Sequence, residues 1–157
     1  MHGTLVITPQ DQAAPTVITD PATEQITGAL ASGGTFWLDL AEVDDDSLTL
    51  LRDTFRFHPL AVEDAEQFGQ RPKIDAYDDF TLLVAFGLLP DGTPIEVHFF
   101  CTDRYVLTVH RIASPRLSAA LARLAGHAAT GHMTVPAPTM LLHRLLDGMV
   151  DSYFPVL

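Results

Sequence analysis

IDAYDDFTLLVAFGLLPDGTPIEVHFFCTDRYVLTVH, residues 74–110, decides the fold class. From Ile74 to Leu88 the pattern is that of a strand: Phe80, Leu82, Val84 and Phe86 alternate, while Leu83 and Ala85 make the other face apolar as well. A strand that is apolar on both faces needs cover on both. Pro90-Asp91-Gly92 is turn chemistry, Ile95 to Cys101 is a second strand, Asp103-Arg104 a second turn, and Tyr105 to His110 a third strand. The stretch predicts a three-stranded antiparallel meander.

Upstream, Thr4–Thr8 and Thr16–Ile18 are short β-branched runs that predict two strands, and Thr35–Leu40 predicts a third. Asp20-Pro21 predicts a helix to about Ala31, with Asp20 as cap and Pro21 at the first helical position, before Ser32-Gly33-Gly34. Asp44, Asp45 or Asp46 caps a helix in which Leu48, Leu51 and Phe55 make one buried stripe. His58-Pro59 opens another helix, which reaches about Gln67 and stops at Gly69.

Downstream, Ser114-Pro115 starts a helix striped by Leu117, Leu121 and Leu124 and interrupted at Gly126 and Gly131. Pro136 and Pro138 introduce a last one, with Leu141, Leu142, Leu145, Leu146, Met149, Val150 and Tyr153 on its apolar face. That helix is expected still to be running at Leu157, so the natural chain is expected to continue. The organisation is an α/β body over residues 1–135 followed by a terminal helix over 136–157.

Composition narrows the partners. Nine Lys and Arg stand against 20 Asp and Glu, a formal charge of −11, which disfavours nucleic acid and anionic membrane surfaces and favours cations. With 47% hydrophobic residues the chain has the material for a core. The lone Cys101 excludes a disulfide framework and a Cys-based metal site, and fits a reducing cytosol. No stretch approaches the roughly 18 to 20 apolar residues of a spanning helix.

Enzymatic patterns are missing. Ser32-Gly33-Gly34 lies between a helix and a strand with no following Lys, unlike a phosphate loop, and no Gly-x-Ser-x-Gly occurs. The seven histidines lack helical i, i+4 pairing, although His127 and His132 flank a Gly-containing loop where a metal could be met. No enzyme is expected.

The carboxylates say more. Glu63-Asp64 interrupts the otherwise apolar Leu60, Ala61, Val62 and Ala65; the pair either faces water, pairs with Arg71 and Lys73, or binds a cation. On the last helix His143, Asp147 and Asp151 are spaced i, i+4, i+8 on one stripe, where like charges repel and either a hard dication or Arg144 would relieve them.

His58-Pro59-Leu60-Ala61-Val62-Glu63-Asp64, followed by Gln70-Arg71-Pro72-Lys73-Ile74-Asp75-Ala76-Tyr77-Asp78-Asp79, closely resembles the signature of the cytosolic domains of CorA-like divalent metal ion transporters. Phe36-Trp37-Leu38-Asp39-Leu40, Tyr105 to His110 and Leu145 to Phe154 extend the resemblance in order. It implies a three-layer α/β/α sandwich with a mixed, largely antiparallel central sheet, followed by the start of a long stalk-region helix. It further implies a homopentamer in the cell membrane with this domain on the cytoplasmic side, joined to the membrane only through segments missing from this chain. The pore motif Gly-Met-Asn does not occur here.

The resemblance also implies a regulatory divalent cation bound between neighbouring subunits, Mg²⁺ first, with Co²⁺, Ni²⁺ or Zn²⁺ as alternatives. By motif, Asp64 falls on the first regulatory carboxylate, Glu63 and Asp147 fall on a second site, and Asp151 is their neighbour by helical spacing. The related ZntB-like proteins share the body and move zinc, but sparse His and a lone Cys lean toward Mg²⁺. A free-standing binding domain of the same fold is the reading from another class.

Overall fold

A computed structural model describes residues 1–8, 14–130 and 136–157. Seven strands, β1 (His2–Thr8), β2 (Thr16–Thr19), β3 (Thr35–Ala41), β4 (Lys73–Ala76), β5 (Thr81–Leu88), β6 (Pro94–Cys101) and β7 (Tyr105–His110), form one sheet in the order β2-β1-β3-β7-β6-β5-β4. Every pairing is antiparallel except β3 with β7. The sheet is mixed and largely antiparallel, as expected.

Helices cover both faces. On one, α1 (Thr23–Ala31), α2 (Asp45–Thr49) and α3 (Pro59–Gln67) bury Ile26, Leu48, Ala61, Val62 and Ala65 against Leu38, Leu82, Phe100 and Leu107. On the other, α4 (Pro115–Thr130) and α5 (Pro138–Asp151) bury Leu117, Leu124, Leu141, Leu145 and Met149 against Trp37, Val97, Phe99 and Val106. Adjacent residues such as Leu38 and Trp37 serve opposite cores because strand side chains alternate. The three-layer sandwich follows from that alternation.

Several expectations change. Ile74 to Leu88 is two strands, because Tyr77-Asp78-Asp79 turns the chain and Tyr77 N–H donates to the Phe80 carbonyl at 2.8 Å. The first helix starts at Thr23: Asp20 has φ 46° and accepts from Gly3 N–H at 3.0 Å, so it ties the helix entry to β1 instead of capping. The Leu48-Leu51-Phe55 stripe is buried, but α2 passes into a π-helical turn over Leu50–Thr54, closed by Phe55 N–H donating to the Leu50 carbonyl.

The last two helices change as well. α4 runs straight through Gly126. α5 does not run on to Leu157. Ser152 caps it, donating to the Met149 carbonyl and accepting from Leu88 N–H at 2.8 Å, and Pro155 sits in a single 3₁₀ turn. Gly87 permits that contact, since a Cβ there would lie 3.3 Å from Ser152 Oγ.

Candidate metal-binding surfaces

α3 is short and half-buried for local reasons. His58 Nδ1 accepts from Leu60 N–H at 3.2 Å as the cap, Pro59 occupies the first turn, and Phe68 (φ 54°) and Gly69 (φ 76°) end the helix in left-handed geometry. With Ala61, Val62 and Ala65 facing the core, Glu63 and Asp64 must face outward.

The two acids are not equivalent. Asp64 Oδ2 lies 2.6 Å from Lys73 Nζ, whose ammonium also meets Asp75 at 2.9 Å. The hydrogen bonds that its ammonium donates to Asp64 and then to Asp75 raise the Lys73 pKa, so the ammonium is charged and shared. Among the described residues, exposed Glu63 accepts only from Gln67 Nε2, at 2.9 Å. Of the two cations adjacent in sequence, Lys73 takes up Asp64 and Arg71 pairs with neither acid among the described residues.

Asp147 and Asp151 lie on the other side of the sheet. Both are exposed on α5 and line a cleft of about 360 Å³ against α4, with Arg116, Arg123 and Arg144. Arg116 donates to the Asp151 backbone carbonyl at 3.2 Å, and among the described residues Arg144 makes no ion pair with Asp147. The structure thus brings Glu63 to Asp64 and Asp147 to Asp151, and keeps the pairs on opposite faces. Among the described residues, no three His, Cys, Asp or Glu side chains gather as a metal-holding group.

Two buried pairs carried little sequence signal beyond a charge inside an apolar strand. Glu96 Oε2 accepts from Gly69 N–H at 2.7 Å, while its Oε1 accepts from Gln70 N–H at 3.1 Å and meets His98 Nε2 at 2.6 Å, so one carboxylate holds the end of α3. The Phe68 ring lies 4.6 Å from His98 and carries the Arg111 guanidinium 4.7 Å above it. Burial lowers the His98 pKa against the opposing pull of Glu96.

On the opposite face Trp37 Nε1 donates to Thr108 Oγ1, Thr108 donates to Asp39, and His110 Nε2 lies 3.1 Å from Asp39. Burial opposes charge on His110, but the Asp39 hydrogen bond and charge outweigh it and the pKa rises.

One thiol and two imidazoles are committed. Burial pushes the Cys101 thiol up to about 12, and His98 and His110 are bound to carboxylates. His132 and the His127 side chain lie outside the described residues.

Residues 32–157 match the family described as CorA-like Mg2+ transporter protein. The chain is 34% identical over 122 residues to YfjQ of Bacillus subtilis (strain 168), a protein named for metal ion transport, covering 77% of this chain and 37% of that protein. Magnesium transporter ALR2 of Saccharomyces cerevisiae is 27% identical over 136 residues, covering 82% of this chain and 16% of its own. The chain therefore spans well under half the length of these relatives.

Among solved structures, the complete CorA magnesium transporter of Methanocaldococcus jannaschii superposes with a TM-score of 0.75 at 13% identity, covering 99% of this chain and 46% of that one. The cytoplasmic domain of ZntB from Vibrio parahaemolyticus does so with 0.73 at 14%, covering 98% and 60%. These likenesses are of fold. Among the described residues no helix is long and apolar enough to cross a membrane.

Proposed function

The chain belongs to the CorA-like Mg2+ transporter family, and on that premise we propose that it is the cation-sensing regulatory domain of a divalent metal ion transporter. Mg²⁺ is the favoured cation, with Co²⁺ next. In this reading the domain sits on the cytoplasmic side of the cell membrane in a homopentamer, and residues 136–157 approach a stalk whose membrane segments lie outside this chain.

The observation that carries the reading is the placement of the acids. Glu63 and Asp64 face outward on one side of the sheet, and Asp147 and Asp151 on the other. A cyclic ring brings two different patches of neighbouring subunits together, and in this reading the two patches are the α3 side with Glu63 and Asp64 and the α5 side with Asp147 and Asp151. Opposed carboxylates repel, and a bridging dication favours the closed ring through its greater affinity for that state.

The donor set supports a hard cation. Oxygen ligands are available, while the one thiol is held protonated and the two buried imidazoles are occupied. Calorimetric titration with Mg²⁺ and Co²⁺ tests the reading: heat is expected from the wild-type chain and none from a Glu63→Ala, Asp64→Ala, Asp147→Ala variant. Equal binding by both would remove these acids from the site.

A further inference from the structure

The cation reading uses Glu63 and Asp64 and leaves the rest of the same sequence block unexplained. His58, before them, and Tyr77-Asp78-Asp79, after them, line one cavity of about 530 Å³ at the end of the sheet where β4 turns into β5 and β7 begins. The volume lies within the range of small-molecule sites.

Aromatic rings wall the cavity. Tyr77 stacks on Phe80 at 4.5 Å and Phe80 meets Phe57 at 4.6 Å, with Phe57 and Phe80 buried and Tyr105 on the wall beside them. Burial pushes the Tyr105 phenol up to about 12, so it remains a neutral hydroxyl.

The rim carries both signs of charge. Arg56, Asp78 and Asp79 are exposed at the cavity and, among the described residues, none of them makes an ion pair. His58 spends Nδ1 on the Leu60 N–H, which leaves its Nε2–H as a donor.

The backbone here is also unusual. Arg56 has φ 56° two residues after the π-helical turn that ends at Thr54, and both features persist in folds only where their surroundings hold them. Between them they set Arg56 at the cavity.

Ligand classes can be separated by charge and shape. A simple anion meets two carboxylates at the rim. A bare metal ion gains nothing from rings that offer it no oxygen. An apolar molecule leaves the rim charges to water and gains nothing from them. A molecule with a ring, an ammonium and a carboxylate satisfies the whole lining.

We propose that this cavity binds a free aromatic α-amino acid, its ring among Tyr77, Phe80 and Tyr105, its carboxylate on Arg56 and its ammonium on Asp78 and Asp79. The site is separate from the acids of the cation reading and does not depend on it.

Calorimetry on the unmodified chain tests the proposal with L-phenylalanine, L-tyrosine and L-tryptophan, and with phenethylamine and 3-phenylpropionate as analogues that lack one charge each. At least one amino acid is expected to bind, and both phenyl analogues to bind about tenfold more weakly or worse, the loss expected for one ion pair in a site of this kind. Arg56→Gly relieves the positive φ; it is expected to weaken the amino acid about tenfold and leave phenethylamine unchanged. Absence of binding by all three amino acids overturns the proposal, and so does phenethylamine binding as tightly as the tightest of them.

Discussion

The two faces of the sheet solve the same electrostatic problem differently. Each carries an outward acidic pair and a buried carboxylate–histidine pair. On the α3 face both are tied into one local structure: Glu96 holds the turn that ends α3, and Lys73 neutralises Asp64. On the α5 face they are separate, with Asp39 and His110 cross-linking β3 to β7 while the Asp147 and Asp151 carboxylates make no ion pair among the described residues. A cation approaching the first face must compete with an ammonium, and one approaching the second meets two acids in a cleft shared with three arginines.

Removing Glu96 should break this contrast most severely. Glu96→Ala leaves two backbone N–H groups and a buried imidazole without their acceptor, so a loss of about 3 kcal/mol is expected in urea unfolding. A loss below about 1 kcal/mol would show that the end of α3 holds itself.

The two buried histidines sharpen the comparison through pH. The folded-state pKa of His98 is lowered, so its contribution to stability is present above about pH 6.5 and is lost as the pH falls below it. His110 is raised, so its contribution is complete below about pH 6.5 and is lost as the pH rises through the folded-state value. In denaturant midpoints between about pH 5 and 8, His98→Gln is expected to weaken the acid-side loss and His110→Gln the alkaline-side loss. Identical profiles for the two variants would contradict the assignment.

The smallest expected stability effect is at Lys73. Its ion pairs are partly exposed, so Lys73→Met costs about 1 kcal/mol or less, yet it frees Asp64 and Asp75 and is expected to tighten Mg²⁺ binding. Weaker binding, read by calorimetry, would make Lys73 an organiser of the site and not a competitor.

What the sequence made legible follows the range of its signals. Alternation through Leu82, Val84 and Phe86 marked β5, and His58-Pro59 with Gly69 bounded α3 closely, because strand period and capping are local. The turn at Tyr77-Asp78-Asp79 was hidden by apolar residues on either side, and the π-helical turn left the stripe of Leu48, Leu51 and Phe55 intact. Asp20 looked like a cap until Gly3, far along the chain, took its carboxylate.

The site was readable only in part for the same reason. Glu63-Asp64 stood out against apolar neighbours, whereas the grip of Glu96 on Gly69 joins residues 27 apart and has no periodic signature. Nothing in the spacing of Asp147 and Asp151 disclosed that they would face away from Glu63 and Asp64.

That separation is the centre of the account, and mixing two variants tests it most directly. One variant carries Glu63→Ala and Asp64→Ala, the other Asp147→Ala and Asp151→Ala, and Mg²⁺ binding is measured by calorimetry on each alone and on the equimolar mixture. If the site forms between the α3 face of one chain and the α5 face of another, each variant alone binds poorly and the mixture recovers part of the wild-type signal. Full binding by either variant alone, or a mixture no better than its components, would contradict a site shared between the two faces.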